Sequence, residues 1–211
     1  MAIDTDDNDP VDAEACEKYL AQLRELEAYR AYRTTAAIDW FFDQATRAIH
    51  GELWLAACTT FLNGIETSLR VTMKLKASQA QPQAPTPLVD LSDMATLSNA
   101  LLRRAHQAGM PVTLLAFPDE QDLLTKIADG APKLPYAEIV RVRHNLCHGN
   151  ILEHIITASD GMGEPVRLFT PECMRDLAQT LSAVSKVWIA GLHQYWCDNN
   201  FLDSTSVLQK A

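Results

Sequence analysis

Hydrophobic residues recur every three or four positions along much of the chain, which is the period of an amphipathic helix. A first set runs over residues 13–49 and predicts one long helix or two consecutive helices, with a break at Gly51. A second set runs over 54–72, with small residues between the large ones, and predicts a helix packed on two sides. This pattern is typical of an all-α protein.

A stretch rich in proline and polar residues, 78–87, interrupts the periodic pattern. Two helices are predicted after it, at 91–108 and, shorter, at 119–129, each followed by a glycine. Both lie between the helix at 54–72 and the next segment with a clear apolar side. We therefore predict an insertion over 78–134.

The last third of the chain predicts two more helices. Pro135 stands where proline is tolerated at the first position of a helix, and Gly149 stands where that helix should end. Thr170 and Pro171 suit the start of a final long helix. The apolar side of the first of these two helices is formed by Tyr136, Ile139, Val140 and Leu146.

The segments 151–157 and 166–169 predict either a small β-hairpin or a loop. The whole pattern predicts an up-and-down helical bundle, which buries the apolar stripes of its helices against each other. A length of 211 residues is enough for one well-buried core. We expect a single domain over 13–198, a disordered acidic tail at 1–12 and a C-terminal tail at 199–211.

The charge of the chain is unevenly distributed. The net charge is -9, but six acids and no bases lie in the first 14 residues, which leaves 21 acids against 18 bases in the remainder, a balance of -3. Such a body predicts weak nonspecific affinity for nucleic acid and argues against a sequence-specific DNA binder, but it leaves room for a local basic site.

Apolar and cysteine positions indicate the compartment. The apolar stretches are shorter than the roughly 20 residues that span a bilayer, and the acidic start does not fit a secretory signal. Five cysteines are scattered without a C-x-x-C pair, which argues against a disulfide framework or a cysteine-rich zinc module. We expect a cytoplasmic protein with no membrane partner.

The segment RHNLCHG, which begins at Arg143, concentrates polar side chains at the predicted end of a helix. At about 100° per residue, His144 and His148 share a face with Cys147, a set that zinc would accept with His154 as a nearby fourth ligand. A second interpretation is structural, with His148 at a helix end and Arg143 paired to an acid. The third is chemical use of Arg143 and His148, which lie about 140° apart around a helix.

This segment resembles the signature of the HEPN superfamily of all-α proteins, in which an arginine and a polar neighbour precede a histidine that is often followed by glycine. Arg143, His144, His148 and Gly149 occupy those positions. The resemblance covers the bundle and not the insertion. Many members also carry an acid near a Leu-Arg pair in an earlier helix. Glu66 matches this and would order Arg143, unless it is simply an exposed glutamate.

The resemblance implies an endoribonuclease that needs neither metal nor cofactor and cleaves RNA by attack of the ribose 2′-hydroxyl, at a site shared by two copies. Arg143 would stabilise phosphate charge and His148 would move the proton, with His144, Asn145 and Glu66 as auxiliary residues. It also implies a toxin or defence factor, with an antitoxin or nucleotidyltransferase as partner. The alternative is a noncatalytic HEPN module that binds RNA, a nucleotide or a protein.

Overall fold

Helices dominate the part of the chain that the structure describes, so the predicted all-α class is confirmed. The computed structural model describes residues 13–32, 34–80, 96–128, 135–150, 152–158, 166–168 and 170–202. The α-helices are α1 (Ala13–Arg30), α2 (Ala36–His50), α3 (Trp54–Ala80), α4 (Asn99–Gln107), α5 (Leu123–Ile127), α6 (Glu138–Cys147) and α7 (Arg175–Asp198). Short 3-10 helices cover Val112–Leu115, Leu152–His154 and Pro171–Met174.

The predicted pattern at 13–49 forms two helices, α1 and α2, and α2 ends before Gly51 as expected. The apolar stripe of α2 is buried through Ile38 and Phe42, neither of which is accessible to solvent. The Phe42 ring stacks on Tyr29 of α1 with ring centroids 5.2 Å apart. The first two helices therefore pack together through aromatic side chains at the core.

Helix α3 crosses the centre of the bundle and packs against α2 and α7. Two tryptophans of α7 are fully buried against it, and each indole N–H finds an acceptor there. Trp188 Nε1 donates to Ser68 Oγ and Trp196 Nε1 donates to Thr72 Oγ1, both at 2.8 Å. The small polar residues of α3 thus satisfy buried donors that would otherwise cost free energy.

The predicted insertion contributes to this same core. Leu101, Leu102 and Leu115 are inaccessible to solvent and belong to the cluster formed by the long helices. The 3-10 helix Val112–Leu115 approaches α7 closely at Gly191, where a Cβ would lie 2.2 Å from Leu114 Cδ1. The insertion is therefore packed on α7 and covers part of it.

The predicted bounds of both inserted helices are wrong in the described residues. The first begins at Asn99 instead of 91, since Ser98 caps it by accepting the Leu101 N–H at 3.2 Å, and residues 96–98 are not helical. The second covers only Leu123–Ile127 instead of 119–129. Positions 91–95 and 129 lie outside the described residues.

Part of the segment after α6 forms the hairpin that the sequence left open, but the predicted first strand over 151–157 is wrong at Leu152–His154, which form a 3-10 helix. Strands β1 (Ile156–Ala158) and β2 (Val166–Leu168) pair antiparallel, with Thr157 opposite Arg167. Thr170 then precedes the 3-10 turn Pro171–Met174, which leads directly into α7, as the predicted start requires.

The structure describes only a small part of the two predicted tails. Residues 1–12 lie outside the described residues. Of 199–211 the structure describes 199–202, in which Phe201 is fully buried and meets the Trp196 ring edge-on. Within the described ranges, no helix combines the length and apolar character needed to cross a bilayer.

Candidate functional site

Helix α6 carries the RHNLCHG segment, and residues from the insertion cap its first turn. The Ala137 N–H donates to Asn99 Oδ1 at 3.0 Å, and the Glu138 N–H donates to Glu120 Oε1 at 2.8 Å. These are donors that a helix start leaves without partners inside the helix. The prediction that Pro135 is the first helical residue is wrong, because the helix begins three residues later, where these distant acceptors lie.

The other end of α6 is closed as predicted. His148 is the residue after the last helical one, and Gly149 has a φ of +69°, in the left-handed region that favours glycine. The Asn150 N–H returns to Asn145 O at 2.8 Å. The turn holds His148 at the end of the helix, where its ring is exposed.

Arg143 faces α3, where it pairs with Glu66. Arg143 Nε lies 3.6 Å from Glu66 Oε2, and Arg70 Nη1 donates to Glu66 Oε1 at 3.3 Å. Glu66 is 9% exposed and also accepts the Leu97 N–H at 2.9 Å. We call Glu66, Arg70 and Arg143 the Glu66 cluster. The glutamate is therefore buried and paired, and the interpretation of an exposed glutamate is wrong.

The two histidines of the segment face solvent together. The ring centroids of His144 and His148 are 4.4 Å apart, one helical turn along the exposed side of α6. Tyr136 extends the series, with its centroid 5.9 Å from that of His144. We call Tyr136, His144 and His148 the aromatic ledge. Tyr136 was predicted on the apolar side of the helix, but it is 53% exposed and precedes the helix, so that placement is wrong.

Asn145 contacts the residues that follow the helix. Its Nδ2 donates to Glu153 Oε1 at 3.0 Å, and Glu153 also pairs with Arg141. Partial burial raises the pKa of Glu153, but hydrogen bonds from Asn145 and Arg141 and the nearby positive charges of Arg141 and His154 outweigh it and lower that pKa below its ordinary value. Asn145 therefore fastens the turn after α6 to the helix.

The structure thus distributes the predicted site residues over different sides of α6. Arg143 and Glu66 lie together toward α3, whereas His144 and His148 lie together toward solvent. Asn145 is directed to Glu153. This arrangement follows the helical angles expected from the sequence, which separate Arg143 from His148.

The zinc interpretation finds no assembled ligand set. Among the residues that the structure describes, which include all four proposed ligands, no three His, Cys, Asp or Glu side chains are grouped so as to hold a metal ion. His154 Nε2 lies 3.4 Å from Glu153 Oε1. The histidine also lines a separate apolar cavity of about 760 Å³ beside Trp54 and Met174.

Sequence reasoning assigned no structural role to three contributors to this region, although Arg70 belongs to the Leu-Arg pair already noted near Glu66. Arg70 could have been found from its spacing of four residues from Glu66, which places both on one helix face. The capping of α6 by Asn99 and Glu120 could not have been found from the sequence. These acceptors lie 38 and 18 positions before the backbone N–H groups that donate to them.

A scan against models of known protein families, a search of curated proteins and a search of solved structures each found no match to this chain. The HEPN resemblance therefore stays a prediction from the motif and its position.

Proposed function

We propose that this chain is a metal-independent endoribonuclease of HEPN type that cleaves RNA at a site completed by two copies. The observation that carries the proposal is the end of α6. There Arg143 is held by a buried carboxylate, while His148, five residues later, is exposed at the helix terminus. An anchored guanidinium can stabilise charge on phosphate oxygens and an accessible imidazole can transfer a proton, and together these groups suit phosphodiester cleavage without a metal.

In the proposed reaction His148 takes the proton of the ribose 2′-hydroxyl. The 2′-oxygen forms a bond to phosphorus and the bond from phosphorus to the 5′-oxygen breaks. The leaving 5′-oxygen takes a proton from water, and His148 returns the proton it accepted to that water. The products are a 2′,3′-cyclic phosphate and a 5′-hydroxyl. Imidazole suits proton transfer near neutral pH, and such transfer typically accelerates a reaction about 10²- to 10⁴-fold. His144 lies against His148 and is the polar auxiliary.

Arg143 stabilises the charge that develops on the phosphate oxygens. In the Glu66 cluster two guanidinium groups share one carboxylate, so the three side chains together carry one positive charge. Arg143 is held in place but keeps about a quarter of its side chain exposed (26%). A planar guanidinium that is positioned in advance binds phosphate oxygens well. This provides a local basic group on a body that is mildly acidic overall.

Two copies are part of the proposal because Arg143 and His148 point to different sides of one helix. A two-fold axis near the end of α6 would place the arginine of one copy opposite the histidine of the other. The dimer is tested by sedimentation at the concentrations used for cleavage. An active species that sediments as a monomer would contradict a shared site.

The second candidate is a noncatalytic HEPN module that binds RNA, a nucleotide or a protein partner. One observation favours it: the guanidinium of Arg143 is already engaged by Glu66, which fits a purely structural arginine.

Cleavage of a panel of small RNAs in the presence of a chelator separates the two functions. We expect the wild type to yield cyclic phosphate and 5′-hydroxyl ends, and Arg143→Ala and His148→Ala to lose at least about 100-fold in rate. His106→Ala, at an exposed histidine of α4, is the matched control and keeps full activity. Undiminished cleavage by either site variant refutes the proposal, and wild-type binding without cleavage favours the second candidate.

A role as a toxin or defence factor adds a cellular test. Expression of the wild type should slow growth of a bacterial host, and the His148→Ala variant should not. Co-expression with a protein encoded beside it, such as an antitoxin or nucleotidyltransferase, should restore growth. Equal growth inhibition by the two forms would show that inhibition does not depend on the proposed chemistry.

A further inference from the structure

The aromatic ledge presents three exposed rings in series, with Tyr136 just before α6, His144 within it and His148 directly after its last residue. Neighbouring ring centroids are 5.9 Å apart between Tyr136 and His144 and 4.4 Å apart between His144 and His148. Tyr136 is 53% exposed, although a tyrosine ring stabilises a fold mainly through burial. Core packing therefore does not account for this ring, and its face is accessible to another molecule.

The chemistry of the ledge suits nucleobases. Proteins recognise unpaired RNA bases by stacking them on exposed tyrosine or histidine rings, because every base offers a flat π-face. The series ends at His148, the group that moves the proton in the proposed reaction. A base held on Tyr136 and His144 therefore brings its own ribose and phosphate close to the reacting histidine.

The other exposed aromatic residues in the described ranges lack this connection. Tyr19 of α1 is 60% exposed, and Trp40 of α2 is 58% exposed and packs edge-on against Phe41. Neither belongs to the segment that ends in His148. The combination of exposed rings, ring-to-ring contact and a candidate proton-transfer group therefore distinguishes the ledge from scattered surface aromatics, which need no functional explanation.

We infer that the aromatic ledge stacks unpaired bases of the substrate, which makes Tyr136 a substrate-positioning residue and RNA that is single-stranded near the cleaved bond the preferred substrate. The inference rests on the proposed function for the identity of the reaction. A base inside a duplex has both faces covered by its neighbours, so it cannot stack on Tyr136.

The test measures binding separately from cleavage. The probe is a short fluorescent RNA oligonucleotide with 2′-O-methyl groups, which cannot undergo attack by the 2′-oxygen, used as a single strand and annealed to its complement. We expect Tyr136→Leu to weaken single-strand binding about tenfold, while Tyr136→Phe, which keeps the ring, binds like the wild type. Tyr19→Leu is the matched control at an equally exposed tyrosine and has no effect.

Abasic nucleotides sharpen this test. Removing in turn each base of the probe should identify one position whose loss weakens wild-type binding about as much as Tyr136→Leu does. At that position the two losses should not add, because both remove the same contact. Full additivity at every position would overturn the inference.

Three other results would overturn it as well: wild-type protein that does not bind the single strand, Tyr136→Leu protein that binds as tightly as the wild type, or an equal loss on single strand and duplex. The last would point to a general surface or a protein-binding role.

The outcome is separable from that of the proposed function. Single-strand binding that depends on Tyr136, in a protein that leaves RNA intact, supports the ledge and refutes the nuclease. Cleavage that Tyr136→Leu leaves unchanged, together with unchanged binding, supports the nuclease and refutes the ledge.

Discussion

Helix α6 has two unlike sides. Toward α3, Arg143 meets a carboxylate that is nearly inaccessible to solvent and that also binds a second arginine and the Leu97 N–H. Toward solvent, His144 lies between Tyr136 and His148 and contacts both rings, and all three rings are exposed. Charged contacts connect the first side to the rest of the fold. The second side contributes little to the packing of the fold.

Because of this difference, substitutions on the two sides should affect the cleavage rate and the free energy of unfolding differently. A change on the buried side removes partners from charged groups that solvent reaches poorly, so it alters the free energy of unfolding. A change on the exposed side removes a ring that solvent replaces at little cost. Proposed catalytic roles can therefore be tested cleanly on the exposed side, whereas the buried side requires a stability measurement alongside.

The largest expected effect contrasts the two sides directly. His148→Ala should reduce RNA cleavage at least about 100-fold while changing the free energy of unfolding by less than about 0.5 kcal/mol. Arg143→Ala should reduce cleavage similarly but also cost about 1 kcal/mol, because Glu66 loses one charged partner. Rate assays and urea unfolding of the same preparations check both numbers. A His148→Ala protein with a clearly lower free energy of unfolding than the wild type would contradict the expected difference between the two sides of α6.

Glu66→Ala should have the next largest effect, a loss of about 2 to 3 kcal/mol in the free energy of unfolding. It removes the hydrogen-bond acceptor of Arg70 and of the Leu97 N–H and the ion-pair partner of Arg143, and hydrogen bonds to charged groups are the stronger ones. Glu66→Gln keeps an acceptor and should lose less. Glu27→Ala, at an exposed glutamate of α1, serves as control in urea unfolding. An equal, small loss at Glu66 and Glu27 would show that the buried cluster adds no stability.

Gly149→Ala tests the turn that holds His148. The backbone φ of +69° is strained for a residue with a Cβ, so we expect a loss of about 1 kcal/mol in the free energy of unfolding. Apart from its chain neighbours, no atom of the residues that the structure describes lies within 4 Å of the place where that Cβ would be, so crowding from them contributes nothing. Gly149→Asn should cost less, since asparagine tolerates this conformation better. Thermal unfolding of the two variants compares them, and equal losses would argue against backbone strain.

The smallest expected effect is a pH dependence at Glu153. Its pKa is lowered in the folded protein from an ordinary value of about 4.5. Its stabilisation is therefore present at neutral pH and lost as the pH falls through the lower folded value. We expect Glu153→Gln to lower the free energy of unfolding at pH 7 by less than about 1 kcal/mol, because the ion pair is partly exposed, and to match the wild type in strong acid; thermal unfolding at the two pH values checks this. A difference that persists in acid would assign the effect to another cause.

Much of the architecture followed from local signals in the sequence. Helical periodicity predicted the class, and Gly51, Gly109 and Gly149 marked the ends of helices where the structure has them. Thr170 before Pro171 marked the last helical segment. These signals depend only on residues within one or two helical turns of each other. The local sequence is therefore enough to predict the helix ends that they mark.

The errors came from contacts between distant parts of the chain. The start of α6 depends on Asn99 and Glu120, and no local pattern around Pro135 contains them. Tyr136 fits an apolar helical stripe by spacing, yet it lies before the helix because the helix starts later. The burial of Glu66 likewise results from packing, which spacing alone does not give.

The candidate site was predicted in part for the same reason. Helical angles correctly separated Arg143 from the histidines, because they depend on local geometry alone. Which partner each side chain meets depends on the tertiary structure. The HEPN assignment and the activity stay predictions that the cleavage assay tests.

The hydrogen bond from the Leu97 N–H to Glu66 makes this backbone amide a spectroscopic reporter on Arg143. That amide shares one carboxylate oxygen with Arg143, although 46 residues separate the two in sequence. In an NMR spectrum its proton resonance and its rate of exchange with deuterium should respond when phosphate binds to Arg143 beside Glu66. Occupancy of the site can then be followed from a reporter that touches no substrate and requires no label beyond isotopes.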